Sequence, residues 1–168
     1  LLVGLLASTA GALSMDTVAV GNTGNIGELS GAGVAGGWGP DRICGAVDYS
    51  YRIGKYEVTA GQYTEFLNAV AKIDPYGLYN TGMWSDGNGC KIQRSGTSGS
   101  YAYSVASDYA NRPVNYVSWG DAARFCNWLT GGDTEHGSYE LNGATTSEQL
   151  ISVTRSANAR YAIPTEDE

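Results

Sequence analysis

The residue pattern of this chain predicts an α+β domain with two main helices, several short strands and long loops. Three observations carry that prediction. Reciprocal helix caps stand at Thr59-x-x-Gln62 and Ser118-x-x-Asp121, each followed by apolar residues at helical spacing. Short stretches with a period of two lie between and before them. Gly supplies 24 of the 168 residues and charged residues only 16%, against a usual charged share of about 25%, so glycine-rich loops separate the elements.

Along the chain, the opening residues come first. Leu1 to Leu6 is an apolar run leading into Ala10-Gly11-Ala12, which reads as the tail of a secretory signal peptide. Residues 1–14 are therefore assigned to a signal-peptide remnant, and the protein is expected to be exported. The run is too short to span a bilayer. Residues 15–46 form a glycine-rich segment with little periodicity. Val47, Tyr49, Tyr51 and Ile53 alternate onto one face of a strand, and Lys55 to Val58 continues it in extended form. The first helix runs from the Thr59 cap to about Lys72, with Tyr63, Phe66, Leu67, Val70 and Ala71 on its apolar face; Asp74-Pro75-Tyr76-Gly77 ends it.

Residues 79–99 read as loop, with turns at Asp86-Gly87 and Asn88-Gly89. Ser100 to Val105 alternates as a strand, and Arg112 to Val117 is a second extended piece. The second helix, Trp119 to Leu129, buries Trp119, Ala122, Ala123, Cys126 and Leu129 and stops at Gly131-Gly132. A weak alternation surrounds Tyr139 and Leu141. Ala159 to Pro164 reads as a short strand, and Thr165 with Glu168 as the capped start of a further helix, so that residues 47–168 read as the N-terminal portion of a domain that continues.

Composition narrows the function classes. Ten basic against 17 acidic residues give a net charge of -7, which leaves no basic excess to neutralise phosphates and excludes a nucleic-acid partner. Gly31-x-Gly33-x-x-Gly36 has dinucleotide-loop spacing, but Gly37-Trp38-Gly39-Pro40 follows it where a helix would have to begin. Gly36-Gly37-Trp38-Gly39-Pro40-Asp41 is a single copy of a calcium-roll motif that needs tandem repeats. Asp86-Gly87-Asn88-Gly89 lacks the acids of a calcium loop. His136, the only histidine, has no nucleophile at a telling distance in sequence. Glu57, Glu65, Asp121 and Glu166-Asp167-Glu168 sit where capping or solvent exposure explains them. Cys44, Cys90 and Cys126 permit one disulfide in any of three pairings, with Cys126 read as a buried apolar residue. No residue is assigned a catalytic, cofactor or metal role on these grounds.

One ordered set of phrases remains: Tyr51-Arg52-Ile53-Gly54-Lys55-Tyr56-Glu57-Val58-Thr59, Gln62-Tyr63, Phe66-Leu67, Arg112-Pro113-Val114-Asn115-Tyr116-Val117-Ser118-Trp119, Asp121-Ala122, Cys126-Asn127-Trp128-Leu129, and Pro164-Thr165-Glu166-Asp167-Glu168. Their order resembles the sulfatase-modifying factor family, also called the formylglycine-generating enzyme domain, in an exported bacterial branch. The resemblance implies a C-type-lectin-like fold and the copper-dependent oxidation, by dioxygen, of a cysteine in a sulfatase polypeptide. It also implies calcium sites. The family's cysteine pair and calcium ligands follow the Pro-Thr-Glu phrase, so Cys44, Cys90 and Cys126 take no part in them. The alternative is a non-catalytic exported module on the same scaffold, binding protein or glycan through Tyr- and Gly-rich loops.

Overall fold

The computed structural model describes residues 13–131 and 133–168. The signal-peptide reading of Leu1–Leu6 and Ala10–Ala12, and the helix stop at Gly132, lie outside the described residues. Residues 15–56 with 163–168 form one compact unit, and residues 57–162 form the body of another.

The first unit is built from two antiparallel strand pairs. Strand β1 (Thr17–Val20) is the partner of a later strand described below, while β2 (Glu28–Ser30) pairs with β3 (Arg42–Cys44), Leu29 facing Ile43. Both pairs draw on the segment expected to be loop, because three or four residues per strand are too few for a period of two to register. Between β2 and β3 the glycine-rich stretch folds back on itself. The Gly33 amide donates to Asp41 Oδ1 at 2.6 Å. A Cβ on Gly37 would lie 1.7 Å from the Gly31 carbonyl oxygen, so only glycine fits that approach. Strand β4 (Tyr51–Gly54) pairs with β1, Thr17 opposite Gly54 and Val20 opposite Tyr51. The strand expected from Val47 thus starts four residues later: Val47 gives its carbonyl to the Gly24 amide instead of to a strand neighbour. Lys55 to Val58 is not a continuing strand either; the Lys55 amide bonds Asp16 and the chain then turns.

The second unit holds the helices. Helix α1 (Ala60–Val70) opens on the expected capping box, the Gln62 amide donating to Thr59 Oγ1 and the Thr59 amide to Gln62 Oε1. Its buried face, Ala60, Tyr63, Phe66 and Leu67, is the centre of the core. Within residues 79–99, expected to be loop, stand a one-turn helix α2 (Gly82–Ser85) and strand β5 (Ile92–Ser95). Strand β6 (Ala102–Val105) pairs antiparallel with β5, Ile92 opposite Val105. The extended piece at 112–117 is reduced to one bridge, Pro113 with Thr59, because Tyr116 takes a left-handed φ of 60° that no strand allows.

Helix α3 (Trp119–Gly131) is capped by Ser118 and Asp121 as expected. Phe125 packs edge-on against Phe66, ring centres 5.4 Å apart, and Trp128 also lies 5.4 Å from Phe66. Its buried surface is wider than the apolar stripe: Asp121, Arg124 and Asn127 are buried, whereas Trp119 is exposed. A fourth short helix, α4 (Ser147–Leu150), carries a Thr146/Gln149 capping box that the sequence reading passed over. Tyr139 makes a single bridge to Arg155; residues 159–164, expected as a strand, form none among the described residues, and the chain turns into them, the Ala159 amide bonding the Ser156 carbonyl. Among the described residues no helix is long and apolar enough to cross a membrane. Mixed helices and small antiparallel pairs make this an α+β chain.

Candidate functional site

Two clusters of polar side chains stand out among the described residues, one in each unit. In the helical unit, Arg124 projects from α3 into a fully enclosed space. Its Nε donates to Glu135 Oε1 at 2.7 Å, and its terminal nitrogen donates to the Ala144 carbonyl at 2.9 Å. The guanidinium also lies 4.1 Å from the centre of the Tyr76 ring. One turn further along, Asn127 spans a stretch of backbone: it accepts from the Tyr139 amide and donates to the Tyr139 carbonyl, both at 2.8 Å, and donates again to Thr134. Among the described residues no buried side-chain nitrogen or oxygen lacks a hydrogen-bond partner, so the chemistry of this cluster is that of a fastening.

In the strand-rich unit, the phrase Thr165-Glu166-Asp167-Glu168 is held by its own acids. Arg42 grips Glu166 through Nε at 2.9 Å and a terminal nitrogen at 2.7 Å, which holds the Glu166 carboxyl below its ordinary range. The Gly45 amide donates to Asp167 and the Tyr49 hydroxyl to Glu168. Thr165 and Glu168 form the reciprocal cap, at 2.9 and 3.2 Å. Beside this segment lies an open depression of about 430 Å³, lined chiefly by Asn25, Val47, Asp48, Tyr49, Thr165 and Asp167. Two of those residues are carboxylates, which gives the depression an acidic rim.

The other candidates from the sequence scatter. Gly31, Gly33 and Gly36 belong to the β2–β3 connection, closed by Asp41 rather than by a helix N-terminus. Asp86 accepts from the Asn88 amide, an Asx turn. His136 is exposed, 3.2 Å from Asp133 and 4.0 Å from Glu140; its bond to Asp133 raises its pKa. Glu57 and Glu65 are exposed, and Asp121 caps α3, its pKa raised by burial. The three cysteines are all free thiols rather than one pair and one odd residue. Cys90 and Cys126 are buried, and burial pushes the Cys126 thiol up to about 12.

The donor set does not suit the metals that the resemblance implies. Copper binding by cysteine needs thiolates, and Cys126 is held as a neutral thiol. Among the described residues no three His, Cys, Asp or Glu side chains converge on one point. Asp74, Asp121 and Glu166, the better-placed carboxylates, are occupied by Arg94, Ser118 and Arg42. None of these described residues is assigned to copper or calcium, whose ligands the resemblance places after the Pro164-Thr165-Glu166 phrase.

Residues that sequence reasoning overlooked, Arg124 and Asn127, each sit one position after an apolar residue, Ala123 and Cys126; only the packing of the 133–144 loop shows that their face is also covered.

The family model described as "Sulfatase-modifying factor enzyme 1-like domain" matches residues 44–168. Comparison with curated proteins and with solved structures gives no match. The matched span starts at Cys44, includes the Glu57-Val58-Thr59 and Val117-Ser118-Trp119 phrases that cap α1 and α3, and ends with the Glu166–Glu168 clasp. The chain belongs to the sulfatase-modifying factor enzyme 1-like domain family.

Proposed function

We propose that this domain, as a C-type-lectin-like scaffold in an exported protein, serves the oxidation of a cysteine in a sulfatase polypeptide to formylglycine, with dioxygen as oxidant. The family match across 44–168 carries the reading. It is supported by the ordered phrases, whose caps and core aromatics coincide with the two main helices. The reading gives Cys44, Cys90 and Cys126 no part in that chemistry: Cys90 and Cys126 are buried, and Cys44 lies against the Arg42–Glu166 pair. The test is to incubate the intact protein with a cysteine-containing sulfatase peptide, copper, air and a reducing thiol, and to trap the aldehyde with a hydrazide. Aldehyde is expected with copper and absent after chelation, and C44S and C126A should retain the activity. No aldehyde under any of these conditions overturns the reading.

A second reading, a non-catalytic module for protein or glycan, draws on the exposed aromatics Trp38 (88% exposed) and Tyr56 (67%). Binding to a glycan array that disappears in W38A, without aldehyde formation, would favour it.

A further inference from the structure

The described chain has two Asn-Gly bonds, Asn88-Gly89 and Asn142-Gly143, and the fold treats them differently. Asn142 and Gly143 are the central residues of a turn closed by the Ala144 amide on the Leu141 carbonyl at 2.9 Å, with φ of 48° and 81°. This is the paired left-handed geometry that Asn-Gly favours. Both residues are exposed, and a Cβ on Gly143 would meet nothing within 4 Å. The turn is held from one side. Glu135 Oε2 accepts the Gly143 amide at 2.7 Å while the same carboxylate binds Arg124, and the Glu135 carbonyl accepts the Leu141 amide at 2.8 Å. Gly89, by contrast, is buried: a Cβ there would lie 2.4 Å from the Gly82 carbonyl oxygen, and the preceding Asn88 carbonyl is held by the Asn115 side chain at 2.8 Å.

We infer that Asn142 is a site of spontaneous deamidation whose rate is governed by the Glu135 hold on Gly143. The Gly143 amide nitrogen loses its proton and bonds to Asn142 Cγ; the bond from Cγ to the carboxamide nitrogen breaks and ammonia leaves. Water then opens the resulting cyclic imide at either carbonyl, giving aspartate or isoaspartate. Water enters, ammonia departs and no oxidant or reductant is needed. While Glu135 holds the Gly143 N–H and the turn stays left-handed, that nitrogen cannot swing onto Cγ. Opening of this one turn, a local event, is the gate. The product puts a new carboxylate on the residue before Gly143, whose amide Glu135 holds, in a loop that already carries Asp133 and Glu140, and so weakens the hold of Glu135 on Gly143 and Arg124. The modification is thus one-way and loosens the fastening under α3.

Peptide mapping of the whole chain, incubated folded in mildly alkaline buffer, tests this, with an isoaspartate methyltransferase as second readout. Modification is expected at Asn142 with Asn88 intact, and at both in the urea-unfolded chain, where Asn142 reacts faster than when folded. E135Q, which keeps an acceptor but weakens the bond to Gly143, should speed the reaction several-fold at Asn142 only. The Asn88 rate reports any global loosening by that variant. Hydrogen exchange of the unmodified chain needs no variant: the Gly143 amide should be protected, yet less than Gly89. Modification of Asn88 first in the folded chain, an Asn142 rate no slower folded than unfolded, or equal protection of the two glycine amides overturns the inference.

Discussion

Asparagine side chains do in this protein what strand neighbours do in a larger sheet. Asn68 on α1 accepts from the Tyr103 amide and donates to the Tyr103 carbonyl, at 3.0 and 2.8 Å. Asn127 on α3 does the same to Tyr139, and Asn115 ties the Cys90 amide to the Asn88 carbonyl. Each offers one donor and one acceptor at the spacing of a peptide unit, so a loop gains the pairing it lacks from a sheet. N127A should therefore destabilise the helical unit by about 1–3 kcal/mol, the cost of stranding buried backbone groups. N127D should cost more, because it replaces a donor by an anion facing the Thr134 and Tyr139 carbonyls. Denaturant melts of the two variants check the order. At the surface, His136 titrates against Asp133. The bond raises the His136 pKa, and Asp133 is held low by backbone and His136 bonds. The stabilisation by His136 is complete below its unfolded pKa and is lost as pH rises through the raised folded value. That of Asp133 is present above its unfolded pKa and is lost as pH falls through the lowered folded one. NMR titration should place the His136 midpoint above the ordinary value near 6.5, and D133N should bring it down.

Elements are short here, and their ends rather than their lengths define them. Thr59/Gln62 and Ser118/Asp121 announce α1 and α3 in the sequence and cap them in the structure. The same reciprocal pairing joins Thr165 and Glu168, the last residues of the described chain. T59A should lower stability by about 1 kcal/mol in a thermal melt. The α2–β5 region was illegible for the opposite reason. Four-residue elements have no period to read, and their placement depends on tight contact: a Cβ at Gly89 would lie 2.4 and 2.5 Å from the Gly82 and Met83 carbonyl oxygens. Those atoms are backbone and cannot turn aside, so G89A should cost about 1–3 kcal/mol by overpacking. A melt unchanged by G89A would show that this close approach is not needed.

At the scale of the molecule, thiol labelling reads the burial pattern. In the folded protein Cys44, half-buried, should react with a maleimide, whereas Cys90 and Cys126 should react only on unfolding; labelling of Cys126 in the native state would contradict the core as described. The sequence alone determined the α+β class, the two principal helices with their caps, and the family, because each rests on local hydrogen bonding or on ordered phrases that survive without knowledge of contacts. Tertiary structure alone decided which strands pair, that the glycine-rich segment holds two of them, and that the acids of Thr165–Glu168 close the strand-rich unit through Arg42, Gly45 and Tyr49. It also decided that Arg124, a residue expected in solvent by its charge, is among the most buried in the chain. Pairing of this kind joins residues far apart in sequence, such as Arg42 and Glu166, 124 positions apart. No local pattern encodes such a partner, since either charge could equally be satisfied by water until the fold brings the two together.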